Sequence, residues 1–232
     1  MFAVAFLYSC VGHAGASGYI AAMTLFGLAP GVIKPTALAL NILVATLASW
    51  RFRRAGHFSW TLFWPLALAS VPCAFLGGWI NLPTRSFKIA VGLVLLASAA
   101  RFLAAPPEDA APKPPGLTAS LGVGAGLGLL SGLTGTGGGI FLTPLGLFLG
   151  WERVKTIAAV SAMFILVNSL AGLAGQLLKA RAFPGVAWSL ALAALAGGAA
   201  GSYLGAERLP APAIKRLLAV VLAIAGFKLL FA

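Results

Sequence analysis

Apolar residues run along this chain in long blocks, each closed by a short cluster of charged or turn-forming residues. In order the blocks are Phe2–Leu28, Thr36–Trp50, Trp60–Ile80, Phe87–Leu103, Leu117–Gly150, Thr156–Leu178, Val186–Gly205 and Ile214–Leu230. Among the closing clusters are Arg51-Phe-Arg-Arg54, Asn81-Leu-Pro-Thr-Arg85, Trp151-Glu-Arg-Val-Lys155, Lys179 with Arg181, and Glu207-Arg208. Such blocks predict helices that cross a bilayer, for which about 20 apolar residues suffice. Ala104–Gly116 has a different texture. Its five prolines, with Glu108, Asp109 and Lys113, predict a semi-extended, exposed linker.

Two blocks are interrupted by glycine. Leu117–Gly150 is 34 residues long and holds Ser131-Gly-Leu-Thr-Gly-Thr-Gly-Gly-Gly139 at its centre. Five glycines in these nine residues oppose a continuous helix, at about 1 kcal/mol each relative to Ala. Two half-helices, Leu117–Ser131 and Gly139–Leu149, are expected to meet at the break. The N–H groups opening the second half have no intrahelical partner and carry the positive end of its dipole. Inside a membrane such backbone survives only where protein or a polar cavity surrounds it. The break is thus a candidate midplane site for an anion. In the first block Gly12-His-Ala-Gly-Ala-Ser-Gly18 occupies the same place.

The halves of the chain are duplicates. Gly12, Gly15 and Gly18 recur 120 residues later as Gly132, Gly135 and Gly138, and Leu66-Ala-Leu-Ala69 recurs 124 residues on as Leu190-Ala-Leu-Ala193. Lys88 and Arg101 recur 127 residues on as Lys215 and Lys228. The division is residues 1–103, a linker 104–116, and residues 117–232. If all eight blocks cross, the repeats are parallel and the basic residues split evenly between the two sides. If each broken block is re-entrant, the repeats are inverted. Arg51, Arg53, Arg54, Arg101, Lys113, Arg153, Lys155, Arg208, Lys215 and Arg216 then share one side, against Lys34, Arg85, Lys88, Lys179, Arg181 and Lys228. That bias favours the inverted arrangement, with the linker cytoplasmic and both termini outside. The expected fold is an all-α polytopic membrane protein. It has two inverted four-element repeats, each a glycine-broken re-entrant or discontinuous helix followed by three transmembrane helices.

Composition agrees: 60% of residues are hydrophobic, 9% are charged, and the mean hydropathy is +1.00. The net charge of +12 would suggest nucleic acid in a soluble protein. Here the basic residues flank apolar blocks, so they are read as topogenic charge facing anionic lipid, and no nucleic-acid partner is expected. Cys10 and Cys73 lie within apolar blocks and read as small core residues. Phe-Ala-Val-Ala directly after Met1 offers no basic n-region, so a cleaved signal peptide is not expected. Glu108, Asp109, Glu152 and Glu207 all fall in loops. A cation carrier commonly needs carboxylates at membrane depth, so their absence there disfavours a cation substrate. Neither a metal nor a cofactor is expected; a small anion and membrane lipid are the expected partners, and a homo-oligomer is left open.

Gly-Leu-Thr-Gly-Thr-Gly-Gly-Gly139-Ile-Phe-Leu-Thr-Pro144, the stretch Lys155 to Asn168 and the Lys179–Arg181 turn resemble the second module of the sulfite exporter TauE/SafE family. Thr36, Arg51-Phe-Arg-Arg-Ala-Gly56 and Phe75-Leu-Gly-Gly78 resemble the first module, so the resemblance covers essentially the whole chain. It implies a duplicated, multi-pass permease that moves sulfite or organosulfonates, here in the inner membrane of a bacterium. The chain departs from the family pattern in two places. Gly-His-Ala-Gly-Ala-Ser-Gly replaces a run of glycines, and Thr36-Ala37 and Val160-Ser161 stand where Thr-Ser pairs are usual.

The candidate substrate-binding residues are Gly15, Ser17, Gly18, Tyr19, Asn41, Gly135, Thr136, Gly137, Gly138, Gly139, Ser161 and Asn168. No Lys or Arg is expected deep in a span, and Lys34 and Lys155 are placed near interfaces. The anion is therefore expected on N–H groups at Gly137–Gly139 and Tyr19-Ile20, assisted by Thr136, Ser17, Ser161 and Asn168. Glycines also let helices pack closely, and both roles can hold together. Ser161, Asn168 and Gly172 follow one helical stripe, and Asn41 lies on the stripe from Ala37 to Ala48. Such side chains serve either interhelical hydrogen bonds or substrate. His13 could couple protons to transport, donate to an anion, or be satisfied by a carbonyl; His57 is expected to be solvated. A rival reading takes Gly15-Ala-Ser-Gly18 as the nucleophile pattern of a rhomboid-like intramembrane serine protease with Ser17 attacking. That chemistry needs a base on a partner helix, and neither histidine is placed for it. A structural or lipid-handling membrane protein is the remaining alternative.

Overall fold

The computed structural model describes residues 1–28, 30–80, 95–96, 99–100, 112–180 and 188–231. Among these residues the chain forms nine delimited α-helices and no strand. The first half contributes α1 (Phe2–Cys10), α2 (Ala16–Leu25), α3 (Pro30–Arg54) and α4 (Trp60–Trp79). The second contributes α5 (Leu117–Thr134), α6 (Gly139–Phe148), α7 (Val154–Ala180), α8 (Trp188–Tyr203) and α9 (Ala211–Phe231). Five stretches are long and apolar enough to cross a membrane: Gly31–Arg54, Trp60–Trp79, Leu117–Thr134, Val154–Leu178 and Trp188–Arg208. Of the expected Phe87–Leu103 span, only Leu95, Leu96, Ala99 and Ala100 are described, and Leu95 and Ala99 are buried in the core. Of the Ala104–Gly116 linker, residues 112–116 are described; they are non-helical and largely exposed.

Both interrupted blocks break where glycine was expected to break them. α5 runs three residues past Ser131, because Gly135 adopts φ 73° and its N–H closes the helix on Ser131 O. Gly137 (φ 79°) and Gly138 (φ 81°) then turn the chain into α6. An L-side chain in that left-handed region costs about 1–2 kcal/mol per residue, so only glycine makes this turn cheaply. The Lys113 N–H, ahead of α5, donates to Gly150 O beyond α6 at 2.8 Å, so the pair enters and leaves at one end of the bundle. α6 returns antiparallel to α7, with Gly139 against Ile165 and Gly146 against Ile157. α2 likewise folds back on α1, with Gly18 against Val4 and Tyr8.

The halves interlock. α5 lies parallel to α4, with Gly124, Gly128 and Gly132 set in turn on the backbone of Leu66, Ser70 and Ala74. A Cβ at any of the three would strike a carbonyl, so a small residue every fourth position lets the two axes approach closely. α1 lies parallel to α8 in the same manner, with Gly197, Gly201 and Gly205 on the backbone of Phe2, Phe6 and Cys10. Between these pairs α3 and α7 cross antiparallel. Gly172 neighbours Leu38, Ser169 meets Asn41, and Ala158 and Ala159 cluster with Phe52.

Side-chain contacts identify one basic end of the bundle. Ala206 O accepts from Lys155 Nζ and His57 Nε2, both at 3.2 Å, so His57 is bonded there and not simply solvated. Arg51 lies between the Trp50 and Tyr203 rings and pairs with Glu207 at 3.5 Å, tying the end of α3 to the π-helical turn Leu204–Arg208 that finishes α8. Trp50, Trp60, Trp79 and Trp188 are exposed near helix ends, where amphipathic rings favour the membrane–water interface.

Candidate functional site

The α5–α6 turn rests against the middles of the two central helices. Asn41 is the twelfth of 25 residues in α3, and Asn168 the fifteenth of 27 in α7. Asn41 Nδ2 donates to Thr136 O at 3.2 Å and reaches Ser169 Oγ at 3.4 Å. The Thr134 and Thr136 hydroxyls are 2.8 Å apart. A Cβ at Gly137 would lie 2.9 Å from both Asn41 Nδ2 and Ser169 Oγ, and one at Gly138 would lie 2.9 Å from Phe164 Cε1 and 3.1 Å from Ser131 Cβ. The turn therefore brings backbone, amides and hydroxyls together at helix mid-depth.

These polar groups outnumber their partners. Asn168 is fully buried and neither Nδ2 nor Oδ1 has a hydrogen-bond partner among the described residues. The same holds for Asn41 Oδ1 and Ser131 Oγ, which are also fully buried. Each such atom costs about 1–3 kcal/mol when left unsatisfied, so the four together mark this turn as the candidate site, where water or a ligand would pair with them. Asn168 shares its helix face with Phe164, which lies against Gly138, and Gly172, which neighbours Gly132. The opening N–H groups of α6 at Gly139 and Ile140 add further donors, whereas the Phe141 N–H already bonds Gly138 O.

A second polar group surrounds the α1–α2 turn. The His13 side chain is almost wholly buried, with Nε2 3.0 Å from Gly139 O and 2.8 Å from Thr143 Oγ1. Against a carbonyl this nitrogen must donate, which leaves Nδ1 as a bare acceptor, and Nδ1 has no partner among the described residues. Thr143 Oγ1 in turn donates to Ser161 Oγ at 2.7 Å. One chain of hydrogen bonds thus joins the first turn to the start of α6 and to α7. Tyr8 OH and Ser17 Oγ are 2.8 Å apart, and the buried Tyr19 OH lies beside Gly15 without a partner among the described residues.

Residues 1–229 match the family model described as Sulfite exporter TauE/SafE. The chain belongs to the sulfite exporter TauE/SafE family. It is 41% identical over 236 residues to a protein of Sinorhizobium fredii named Probable membrane transporter protein y4hK, an alignment covering 99% of this chain and 95% of that protein. No solved structure matches the chain. This TauE/SafE chain is accordingly a multi-pass membrane transporter and not an enzyme.

Within the transporter the expected site residues fall into two neighbourhoods. Asn41, Gly135, Thr136, Gly137, Gly138 and Asn168 gather at the second turn, which Gly139 leaves as the first residue of α6. Ser161 belongs with His13 and Thr143, about 10 Å along α7 from Asn168 at 1.5 Å per residue. Gly15 caps α2 and Gly18 packs against Val4. The Tyr19 N–H bonds Gly15 O at 2.9 Å, so it is not one of the open donors expected at Tyr19-Ile20. Ser131, Thr143 and Ser169 were not singled out from the sequence. A hydroxyl beside a glycine or leucine in an apolar block has no signal of its own until a partner helix shows which way it faces.

Proposed function

We propose that this transporter moves small sulfur-containing oxyanions, sulfite or organosulfonates, held at the α5–α6 turn near the middle of the membrane. The observation that carries this reading is the pair of buried, unpartnered donors Asn168 Nδ2 and Ser131 Oγ beside the glycine turn, the unpartnered Oδ1 atoms of Asn41 and Asn168 being acceptors that do not hold an anion. Amide and hydroxyl donors with helix-start N–H groups suit a compact oxyanion, and both described carboxylates, Glu152 and Glu207, lie toward the basic end. A neutral ring of donors can hold an anion without a buried cation, as half-helix N-termini do in other transporters.

The same proposal includes an inverted duplication of residues 1–103 and 117–232. It is supported by the antiparallel crossing of α3 and α7 and by the exchange in which α1 pairs with α8 while α5 pairs with α4. Arg51, Arg53, Arg54, Lys113, Arg153, Lys155 and Arg208 gather toward one end, which the charge rule assigns to the cytoplasm of a bacterial inner membrane. His13, with its bare Nδ1 beside the start of α6, is the candidate for coupling protons to the movement of the anion.

Flux into proteoliposomes of sulfite, sulfate, sulfoacetate and thiosulfate, with and without a pH gradient, tests the reading. Saturable uptake of sulfite or a sulfonate, competed by the other, is the expected result. Transport of a cation in place of these anions would refute it.

A further inference from the structure

The side chains that end α3 form a stack with the π-helical turn Leu204–Arg208 at the basic end. The Trp50 ring carries two guanidinium groups, with Arg51 Cζ 5.3 Å and Arg54 Cζ 5.4 Å from its centroid. The Tyr203 ring carries Arg51 at 5.4 Å and Arg208 at 5.8 Å. The order is thus Arg54, Trp50, Arg51, Tyr203, Arg208, running from the first half of the chain to the second. Arg208 also donates to the Tyr203 hydroxyl, from Nε at 3.2 Å and Nη2 at 3.1 Å. The carboxylate paired in this stack is Glu207, whose contact with Arg51 Nη1 is 3.5 Å, long for a charge-assisted hydrogen bond. Among the described residues Arg51 Nε is buried without a partner, and Arg54 makes no ion pair or hydrogen bond. Stacking on a ring holds a guanidinium in place while leaving its N–H edge open to an anion.

The approach to this stack is apolar. Leu43, Thr46 and Trp50 are exposed at the spacing of one helical stripe, and Arg53 and Arg54 continue it. The Thr46 hydroxyl donates to Ile42 O at 2.7 Å, so it is satisfied without water. A molecule lying along α3 meets apolar surface first and guanidinium groups at the helix end. We propose that this stack is a binding site for one anionic phospholipid, its phosphate held by Arg51, Arg54 and Arg208 and an acyl chain lying along Leu43, Thr46 and Trp50. Three guanidinium groups against one carboxylate select an anion. The apolar stripe leading to them selects a lipid over a soluble phosphate or an acidic peptide. A lipid held there joins the end of α3 to the turn that finishes α8, and so braces the first half of the chain against the second. The site is separate from the α5–α6 turn and does not depend on what the transporter carries.

Lipid retention by the purified transporter in detergent tests this. Native mass spectrometry after incubation with equal amounts of phosphatidylglycerol and phosphatidylcholine should show the anionic lipid preferred, and phosphatidylglycerol should raise the melting temperature. Arg54→Gln should lower that preference roughly 5-fold, and Arg51→Gln with Arg54→Gln roughly 30-fold, as expected for one interfacial charge each. Arg54→Lys should fall between wild type and Arg54→Gln. Because Arg54 has no partner of its own beyond the Trp50 ring, Arg54→Gln should keep the lipid-free melting temperature of wild type, which separates lost lipid from lost fold. Arg153→Gln removes a charge from the same end outside the stack and should leave the preference unchanged. Equal losses in Arg54→Gln and Arg153→Gln would overturn the site in favour of general surface charge, and so would an unchanged preference in the double variant. Stabilisation by inorganic phosphate equal to that by phosphatidylglycerol would overturn the assignment to a lipid.

Discussion

Asn168→Ala separates a binding residue from a packing residue, because the two roles predict opposite stability changes. Asn168 is fully buried and both ends of its amide lack a partner among the described residues. An unsatisfied buried polar atom costs about 1–3 kcal/mol. Alanine removes two such atoms, and the small cavity it leaves costs back no more than about 1 kcal/mol. The empty protein should therefore be more stable by about 1–5 kcal/mol. An amide that meets a charged oxygen contributes about 1.5–3 kcal/mol to binding, so its loss should weaken affinity roughly 10- to 150-fold. The assay is a pair of measurements on one preparation: thermal unfolding in detergent without substrate, and concentration-dependent flux of sulfite and one organosulfonate. A higher melting temperature with a raised KM is the expected outcome. A raised melting temperature with unchanged KM would remove Asn168 from the site. A lowered melting temperature would show that its amide is satisfied within the fold, and the argument from unpartnered atoms would collapse.

Gly138→Val should lose about 2–5 kcal/mol, combining the left-handed backbone with overpacking against Phe164 and Ser131; retained flux with a normal melting temperature would show that the turn tolerates a side chain. Thr143→Val interrupts the chain from His13 to Ser161 and should cost about 1–2 kcal/mol of stability, and an unchanged unfolding curve would show that the chain contributes nothing. His13→Gln should flatten the response of uptake to a pH gradient while downhill flux persists, and an unaltered gradient response would free His13 of any coupling role. Cysteines replacing Lys113 and Lys155 should label from the same side of the membrane, since Lys113 bonds Gly150 just ahead of the α7 start; labelling from opposite sides would refute the hairpin.

Much of the architecture could be read before any coordinates, because solvent imposes it residue by residue. A bilayer demands apolar length and internal hydrogen bonding, so the blocks and the two glycine breaks leave marks in the sequence. Boundaries such as α4, Trp60–Trp79, fall within a residue of the apolar block for this reason. Where local chemistry outruns hydropathy the blocks misled slightly: α3 begins at Pro30, ahead of Thr36, and carries Lys34 and Pro35 within it.

The partners across helices could not be read, because they depend on which faces meet. Asn168 and Ser161 share a stripe in sequence, yet the first faces the second turn while the second completes a chain from His13 on the opposite hairpin. Lys34 looked like an interfacial charge until Gly135 was found beneath its stem. Gly128 and Gly201 carry no mark that distinguishes a hinge from a seat; only the carbonyls of Ser70 and Phe6 beside them show close packing. Sequence determined that this chain spans a membrane and where its two interrupted blocks break, since those follow from each segment's own solvation and backbone cost. Only the tertiary structure decided which buried polar atoms lack partners among the described residues, because satisfaction belongs to a pair of groups and not to either residue alone.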